Sequence, residues 1–373
     1  MRILHVHSGN LYGGVETVLI TLARYRDLCP QMETHFAVCF EGRLSDELRA
    51  AKAPVHFLGN VRVSRVLSVK RARRALRELL RREQFDAVVC HSTWSQAIFG
   101  ANVRALHLPL VFWLHDAVSG THWLERWACR VPPDLAICNS YFSASLLNNI
   151  YPHADPRVLY CPVYFADREF SDIERALARR ELQTPDDAVV IIQVGRIEKC
   201  KGHKLHLEAL AKLVEMKNWV CWQVGGSQRP QEARYLSYLR HHASRLGLSD
   251  RIRFVGERSD VTNLLAAADI LSQPNTAPES FGLALIEGLS VCLPVVTTAI
   301  GGAKEIIDDS CGIFVPADDA SALAASLRRL ISDQDLRRRL GASGPSRARA
   351  LCDPSSRLGQ LNELLLELRD QHR

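Results

Sequence analysis

Four segments of this 373-residue sequence have residue types and spacing that could do chemistry. The first, Gly9-Asn10-Leu11-Tyr12-Gly13-Gly14-x-Glu16, follows an apolar run at residues 2–7 and opens a helical pattern. Glycines at such a junction permit tight turns and close backbone approach, and a helix N-terminus attracts anions. The spacing is not G-x-G-x-x-G, and no acidic residue ends the second apolar run, where a nicotinamide-type cofactor would need one. A turn with only a structural purpose fits this segment as well. The second segment is Gly195-Arg196-Ile197-Glu198-Lys199-Cys200-Lys201-Gly202, between an apolar run and the next helical stretch. Arg196 offers a planar fork and Lys201 a point charge, a pairing suited to a diphosphate; a solvated loop with incidental charges is the alternative.

The third segment, Glu279-Ser280-Phe281-Gly282-Leu283-Ala284-Leu285-Ile286-Glu287, leads into a stretch whose one charged side chain before Val296 is Glu287. A lone carboxylate on a buried helix is costly unless something hydrogen-bonds it, and sugar hydroxyls are suitable partners. Glu279 precedes the helix, whose first free amides at Gly282 and Leu283 can meet a phosphate. A protein donor could satisfy Glu287 alone, but that leaves the pairing with the helix start unexplained. The fourth, Trp113-Leu114-His115-Asp116, ends a strongly apolar run. A histidine there is placed for hydrogen-bonding or proton-handling work, or for ordinary capping.

Elements of a particular kind must hold these segments. Short apolar runs recur at residues 2–7, 35–40, 55–58, 86–90, 109–115 and 134–138, then at 189–194, 219–224, 252–255, 269–273, 294–298 and 312–315. Near-continuous apolar strands alternating with helices predict parallel sheets covered on both faces. Val15, Val18, Leu19 and Leu22 fall on one face of the first helix. The length favours two domains, here doubly wound and Rossmann-like, joined near residues 160–167, where Cys161-Pro162 breaks the pattern. The expected division is residues 1–162, 163–352 and a closing amphipathic helix at 353–373 carrying Leu361, Leu364, Leu365 and Leu368. Such sheets bind ligands beyond the carboxyl ends of their strands, and two facing domains would leave a cleft.

Composition is that of a globular protein, 47% hydrophobic and 24% charged. The 11 cysteines contain no C-x-x-C, and Cys39, Cys90, Cys138 and Cys221 lie in strand-like runs, which fits a reducing cytoplasm. The chain starts with a strand pattern rather than a signal peptide, and no window suits a membrane span. Net charge is +6, and the 19 Lys/Arg against 13 Asp/Glu in residues 1–162 account for all of it.

In this order Gly13-Gly14-x-Glu16, His115-Asp116, Asn139-Ser140, Gly195-Arg196…Lys201-Gly202, Glu279-x7-Glu287 and Gly301-Gly302-x-x-Glu305 resemble glycosyltransferase family 4 over nearly the whole chain. The resemblance implies a GT-B fold, retention of anomeric configuration, a nucleotide-diphosphate sugar as co-substrate (a uridine one by family frequency), no cofactor and no essential metal. It implies that the closing helix crosses back onto the first domain, which would bind a glycan, lipid-linked or small-molecule acceptor, as in cell-envelope polysaccharide synthesis. Residue by residue, it implies that Arg196 and Lys201 bind the diphosphate and stabilise the leaving group, and that Glu287 holds the ribose hydroxyls. Glu279 and the Phe281, Gly282 and Leu283 backbone would hold the transferred sugar and phosphate. His115 would contact the sugar near the reacting carbon, with Gly13, Gly14 and Glu16 forming the loop that approaches the diphosphate. The interdomain connection departs from the family's Asn-Gly-Val-Asp; here it reads Tyr160-Cys161-Pro162-Val163-Tyr164.

Residues 61–82 hold nine cations against Glu78 alone, with apolar residues at Val69, Ala72, Leu76, Leu79 and Leu80. The pattern is an amphipathic helix whose basic face is either solvated or attracted to an anionic membrane. Nucleic acid is disfavoured, because no aromatic set is interleaved. Trp123 and Trp127, one turn apart, either line an acceptor entrance or pack. Competing functions are a sugar-nucleotide epimerase, a phosphorylase with lysine-bound pyridoxal, and a non-catalytic partner that kept the fold; an oxidoreductase lacks its fingerprint.

Overall fold

The computed structural model describes residues 1–165 and 170–372, so part of the expected connection, at residues 166–167, and residue 373 lie outside the described residues. The chain forms two compact units, Met1–Val163 with Cys352–Arg373, and Tyr164–Leu351.

The first unit is built on β1 (Arg2–His7), β2 (Glu33–Val38), β3 (Val55–Phe57), β4 (Ala87–His91), β5 (Leu110–Leu114), β6 (Leu135–Cys138) and β7 (Pro156–Val158). All pairs are parallel, in the order β3-β2-β1-β4-β5-β6-β7. The second unit uses β8 (Val189–Val194), β9 (Trp219–Val224), β10 (Ile252–Gly256), β11 (Ile270–Gln273), β12 (Val295–Thr298) and β13 (Gly312–Val315), also parallel, in the order β10-β9-β8-β11-β12-β13. Both orders reverse at one place, between β1 and β4 and between β8 and β11. Loops diverge there and open a crevice at the strands' carboxyl ends. Both units are therefore Rossmann-like α/β domains.

Strand boundaries fall within a residue or two of the apolar runs, as strand ends set by hydrogen bonding rather than by hydrophobicity should. The pattern missed β7. It is a three-residue edge strand starting at a proline, which needs no donor on its outer side and shows no apolar run. In the first helix, Gly14–Arg24, Val18, Leu19 and Leu22 are buried and Val15 is half-buried. The Val66–Arg82 helix buries Val69, Ala72, Leu76, Leu79 and Leu80 against Leu4, Val6, Val88 and Cys90. The Pro354–Gln371 helix follows the second unit in sequence but packs in the first. It buries Leu358, Leu361, Leu364, Leu365 and Leu368, and Arg157 pairs with its Glu367 at 2.9 Å. Tryptophans centre both cores: Trp113 on β5, and Trp219 and Trp222 on β9. Among the described residues no helix is long and apolar enough to cross a membrane.

Candidate active site

In the second unit the site residues come from the loops after β8 and β11, the two strands flanking the crevice. Gly195 leaves β8, Arg196 follows, and residues Lys199–Lys201 form a single 3-10 turn before the helix His203–Ala211. That turn is fixed from several sides. Gln193 on β8 donates from Nε2 to the Lys201 carbonyl at 2.7 Å, and the Thr276 amide donates to the Cys200 carbonyl at 2.9 Å. Gly202 has φ +71°, and a Cβ there would lie 1.8 Å from the Pro274 carbonyl oxygen, so no other residue fits. The β8 and β11 loops are thus laced together before any side chain is considered.

Lys201 Nζ donates to Glu279 Oε1 at 2.6 Å, while Asn275 Nδ2 donates to Glu279 Oε2 at 2.7 Å. Burial alone would strip the lysine's charge and neutralise the carboxyl. Each holds the other ionised: Lys201 is raised above the usual lysine range and Glu279 held below the usual carboxylate range. Arg196 pairs with Glu198 at 3.0 Å, and its Nη1 stands 3.8 Å from Glu232 Oε1, too far for a hydrogen bond. Both those atoms are buried and lack a hydrogen-bond partner, although Glu232 also accepts from the Gln228 and Arg229 amides.

The segment from Glu279 to Gly282 is positioned by Gly301 and Gly302. The Gly302 amide donates to the Glu279 carbonyl at 2.8 Å, and a Cβ on Gly301 would lie 2.4 Å from that same oxygen. Phe281 is buried, Gly282 adopts φ +118°, and the helix Leu283–Ser290 starts without a side-chain cap. Glu287 sits one turn into it, half-buried, with no donor to its carboxylate among the described residues. Burial pushes it up to about 7. A cavity of about 910 Å³ lies beside the Lys199–Lys201 turn, lined by Lys199, Lys204, Tyr235 and Tyr238 among others; it takes in none of Arg196, Lys201, Glu279 or Glu287.

In the first unit the same end of the sheet gathers a different chemistry. The Gly14–Arg24 helix begins after Gly13, whose amide donates to Glu16 Oε2 at 2.8 Å; Glu16 Oε1 meets His7 Nε2 at 2.7 Å. Glu16, buried, therefore ties the Gly13 amide to His7 at the end of β1. His115 lies just past β5, buried, with Nε2 3.0 Å from His91 Nδ1. Burial, with His7 nearby, lowers it to about 3, which favours the neutral imidazole near pH 7. Asn139-Ser140 ends β6, and Ser140 Oγ caps the next helix by accepting from the Ser143 amide at 2.8 Å. Trp123 is exposed and stacks on Trp127 at 6.4 Å, with Trp94 edge-on to Trp123 at 5.6 Å; Arg73 covers Trp127.

The structure brings Arg196, Lys201, Glu279, Phe281, Gly282, Leu283 and Glu287 together in one unit, and Gly13, Gly14, Glu16 and His115 in the other. Sequence reasoning missed Gln193 and Asn275, which hold the Lys201 carbonyl and the Glu279 carboxylate, Glu232, which faces Arg196, and His5, His7 and His91, which lie beside His115. The histidines had a signal: each stands in or at the carboxyl end of an apolar run, as His115 does. Among the described residues no cluster of metal-ligating side chains occurs.

Comparison with known proteins agrees with this architecture. Residues 12–166 match the family described as Glycosyltransferase Family 4, and residues 174–347 match Glycosyl transferases group 1. D-inositol 3-phosphate glycosyltransferase of Corynebacterium urealyticum is 34% identical over a stretch covering 46% of this chain and 41% of that protein. The lipopolysaccharide core biosynthesis glycosyltransferase LpsE of Rhizobium meliloti is 28% identical over 92% of this chain and 93% of its own. The chain spans less than half the length of the first curated relatives it matches, though nearly all of LpsE. Among solved structures, Anabaena Alr3699/HepE in complex with UDP-glucose superposes with a TM-score of 0.87 at 23% identity, covering 98% of this chain and 100% of that one. WaaG, a glycosyltransferase of lipopolysaccharide biosynthesis, gives 0.73 at 18% identity, covering 98% and 99%. The fold is thus GT-B, and with both of its units matched in order the chain belongs to the glycosyltransferases of family 4.

Proposed function

We propose that the protein is a retaining glycosyltransferase that moves a hexosyl-type sugar from a nucleotide-diphosphate donor, of the uridine type, to a glycan, lipid-linked or small-molecule acceptor. One observation supports this above the rest: the loop after β8 carries both Arg196 and Lys201, and Lys201 is held against Glu279, whose segment runs into an uncapped helix start. That is the equipment for a diphosphate leaving group and the sugar attached to it. HepE, of the same fold, is described in complex with UDP-glucose, and the core glycosyltransferases among the relatives build lipopolysaccharide, which fits an envelope acceptor.

In this reading the bond from the sugar's anomeric carbon to the β-phosphate oxygen breaks, and the diphosphate leaves with the electron pair. The acceptor oxygen bonds the same carbon, and its proton passes to the departing phosphate. Arg196 and Lys201 stabilise charge that grows as that bond breaks, so they act mainly in the transition state. Glu287, ionised, accepts from the ribose hydroxyls. Glu279 and the backbone at Phe281, Gly282 and Leu283 position the sugar and phosphate, and neutral His115 contacts the sugar near the reacting carbon. No cofactor and no metal takes part. Hydrolysis of a panel of sugar nucleotides, followed by the released nucleotide, tests this: turnover of at least one donor is expected, and turnover of none would overturn it.

A second reading concerns the membrane. Val66 and Leu67, at the start of the Val66–Arg82 helix, are 63% and 67% exposed, among Arg62, Arg65, Lys70 and Arg71. We propose salt-sensitive peripheral contact of this face with anionic lipid at the cytoplasmic side. Arg73 does not belong to it: its Nε donates to the Ile98 carbonyl at 2.7 Å, and burial lowers its basicity. Sedimentation with anionic liposomes at low salt should fall when Lys70, Arg71 and Arg77 become Glu; unchanged sedimentation would leave the helix merely solvated.

A further inference from the structure

Three imidazoles on neighbouring strands of the first unit form one hydrogen-bonded row. His5 Nδ1 on β1 lies 2.9 Å from His91 Nε2 at the end of β4, and His91 Nδ1 lies 3.0 Å from His115 Nε2 beyond β5. All three are buried, His91 completely. Aromatic rings wall the row: Phe36 stacks on His5 at 5.5 Å, and Trp113 stacks on His91 at 5.3 Å and on His115 at 5.4 Å. These residues share one face of the sheet, since side chains alternate along each strand and β1, β4 and β5 run in register. The far end of the row, His5 Nε2, is buried without a hydrogen-bond partner.

The contacting atoms carry a strict consequence. Burial keeps each ring neutral, so each carries one proton. His91 has both nitrogens engaged, so it must donate through one and accept through the other. Each contact runs from Nδ1 of one ring to Nε2 of the next. A row with one proton per contact therefore has all three rings protonated on Nδ1, or all three on Nε2. We propose that His91 and His5 are positioning residues, which fix the orientation and tautomer of His115 and so decide which of its nitrogens donates and which accepts. Whether His115 Nδ1 donates to its ligand or accepts from it is thus set two strands away. This rests on the reading of His115 as a sugar-contacting residue. The charged and titratable groups facing His115 from other elements are His7 on β1, held by Glu16 of the Gly14–Arg24 helix, and Asp116 follows it in the chain.

Nitrogen-15 NMR of the full chain labelled at histidine, without any ligand, reads the tautomers directly. The three rings should show the same neutral tautomer between pH 5.5 and 8; two opposite tautomers, or a protonated ring, would overturn the proposal. Kinetics give the second arm. In His91→Gln the amide still donates at one end and accepts at the other, whereas His91→Leu breaks the row. His91→Leu should lower turnover about tenfold with donor KM within about twofold, and its His115 should show a mixture of the two neutral tautomers. His91→Gln should recover most of the rate and a single His115 tautomer. Equal losses in the two variants, with one His115 tautomer kept in both, would reduce His91 to a packing residue. If the wild type turned over no sugar nucleotide, the proposed function would fail, while the NMR arm would still decide the row.

Discussion

The two crevices of this chain sit at the same place in the same kind of sheet and are furnished in opposite ways. After β8 and β11 the polar groups are ionised and opposed in pairs, Lys201 with Glu279 and Arg196 with Glu198. After β1, β4 and β5 the core of the site is neutral, a histidine row walled by Phe36 and Trp113. Charges suit a ligand whose own charge changes during reaction, because they are already oriented when it develops. Neutral donors and acceptors suit a ligand that keeps its charge and must be held in one orientation. A fold that repeats its architecture has thus specialised its halves by the electrostatics of the loops, not by the strands.

The sharpest way to break that contrast is to remove a cation. Lys201→Ala is expected to lower kcat by about 100- to 1,000-fold, with Arg196→Ala close behind and donor KM changed less in both. Single-turnover kinetics would show it; losses confined to KM would mean that the cations bind the ground state only. Next comes Glu287→Gln, expected to weaken donor binding by roughly tenfold or more, as hydrogen bonds to charged groups are worth about 1.5–3 kcal/mol. Calorimetric titration of the donor would measure it.

The same residue sharpens the comparison through pH. Its carboxyl sits at about 7 when folded, against the ordinary 4.5. Donor affinity should therefore rise with pH through about 7 and level off above. Stability runs the other way: the folded state binds more protons than the unfolded between about 4.5 and 7, so stability falls over that window. Glu287→Gln removes the penalty and should melt higher than wild type at pH 8, by an amount worth on the order of 1–3 kcal/mol, with no gain at pH 4.5. Equal melting temperatures at pH 8 would mean the carboxylate is solvated rather than desolvated. The smallest expected effect is that of chelation: EDTA should change the rate by less than about twofold, since in the proposed mechanism Arg196, Lys201 and the helix start at Gly282 take the place of a divalent cation. Complete loss, restored by magnesium or manganese, would refute that.

Much of this was legible in the residues. Apolar runs gave twelve of thirteen strands, because strands buried on both faces have little choice of side chain. The charged site was legible because Arg196, Lys201, Glu279 and Glu287 are conspicuous at loop junctions or in an apolar stretch. Its supports were not. Gln193 and Asn275 are ordinary polar residues until the fold brings them to the Lys201 carbonyl and the Glu279 carboxylate. The histidine row depends on strand order, which places His5 beside His91 although 86 positions separate them. The basic helix shows the converse error: spacing counted Arg73 among the cations of the basic face, but that long side chain lies back over Trp127.

The Pro354–Gln371 helix has a consequence for how the protein is made. Its Leu358, Leu361 and Leu365 are fully buried within the first unit, and the Val163 amide bonds to the Cys352 carbonyl at 3.2 Å, where the chain leaves that unit and returns to it. During synthesis, then, the unit whose strands emerge first cannot close its core until 188 residues of the other unit, Tyr164–Leu351, have left the ribosome. The second unit is contiguous and can fold as it emerges; the first must wait with an apolar face uncovered. A ribosome stalled before residue 352 would hold a finished second unit tethered to an unfinished first one, and the unfinished half is where chaperones should bind.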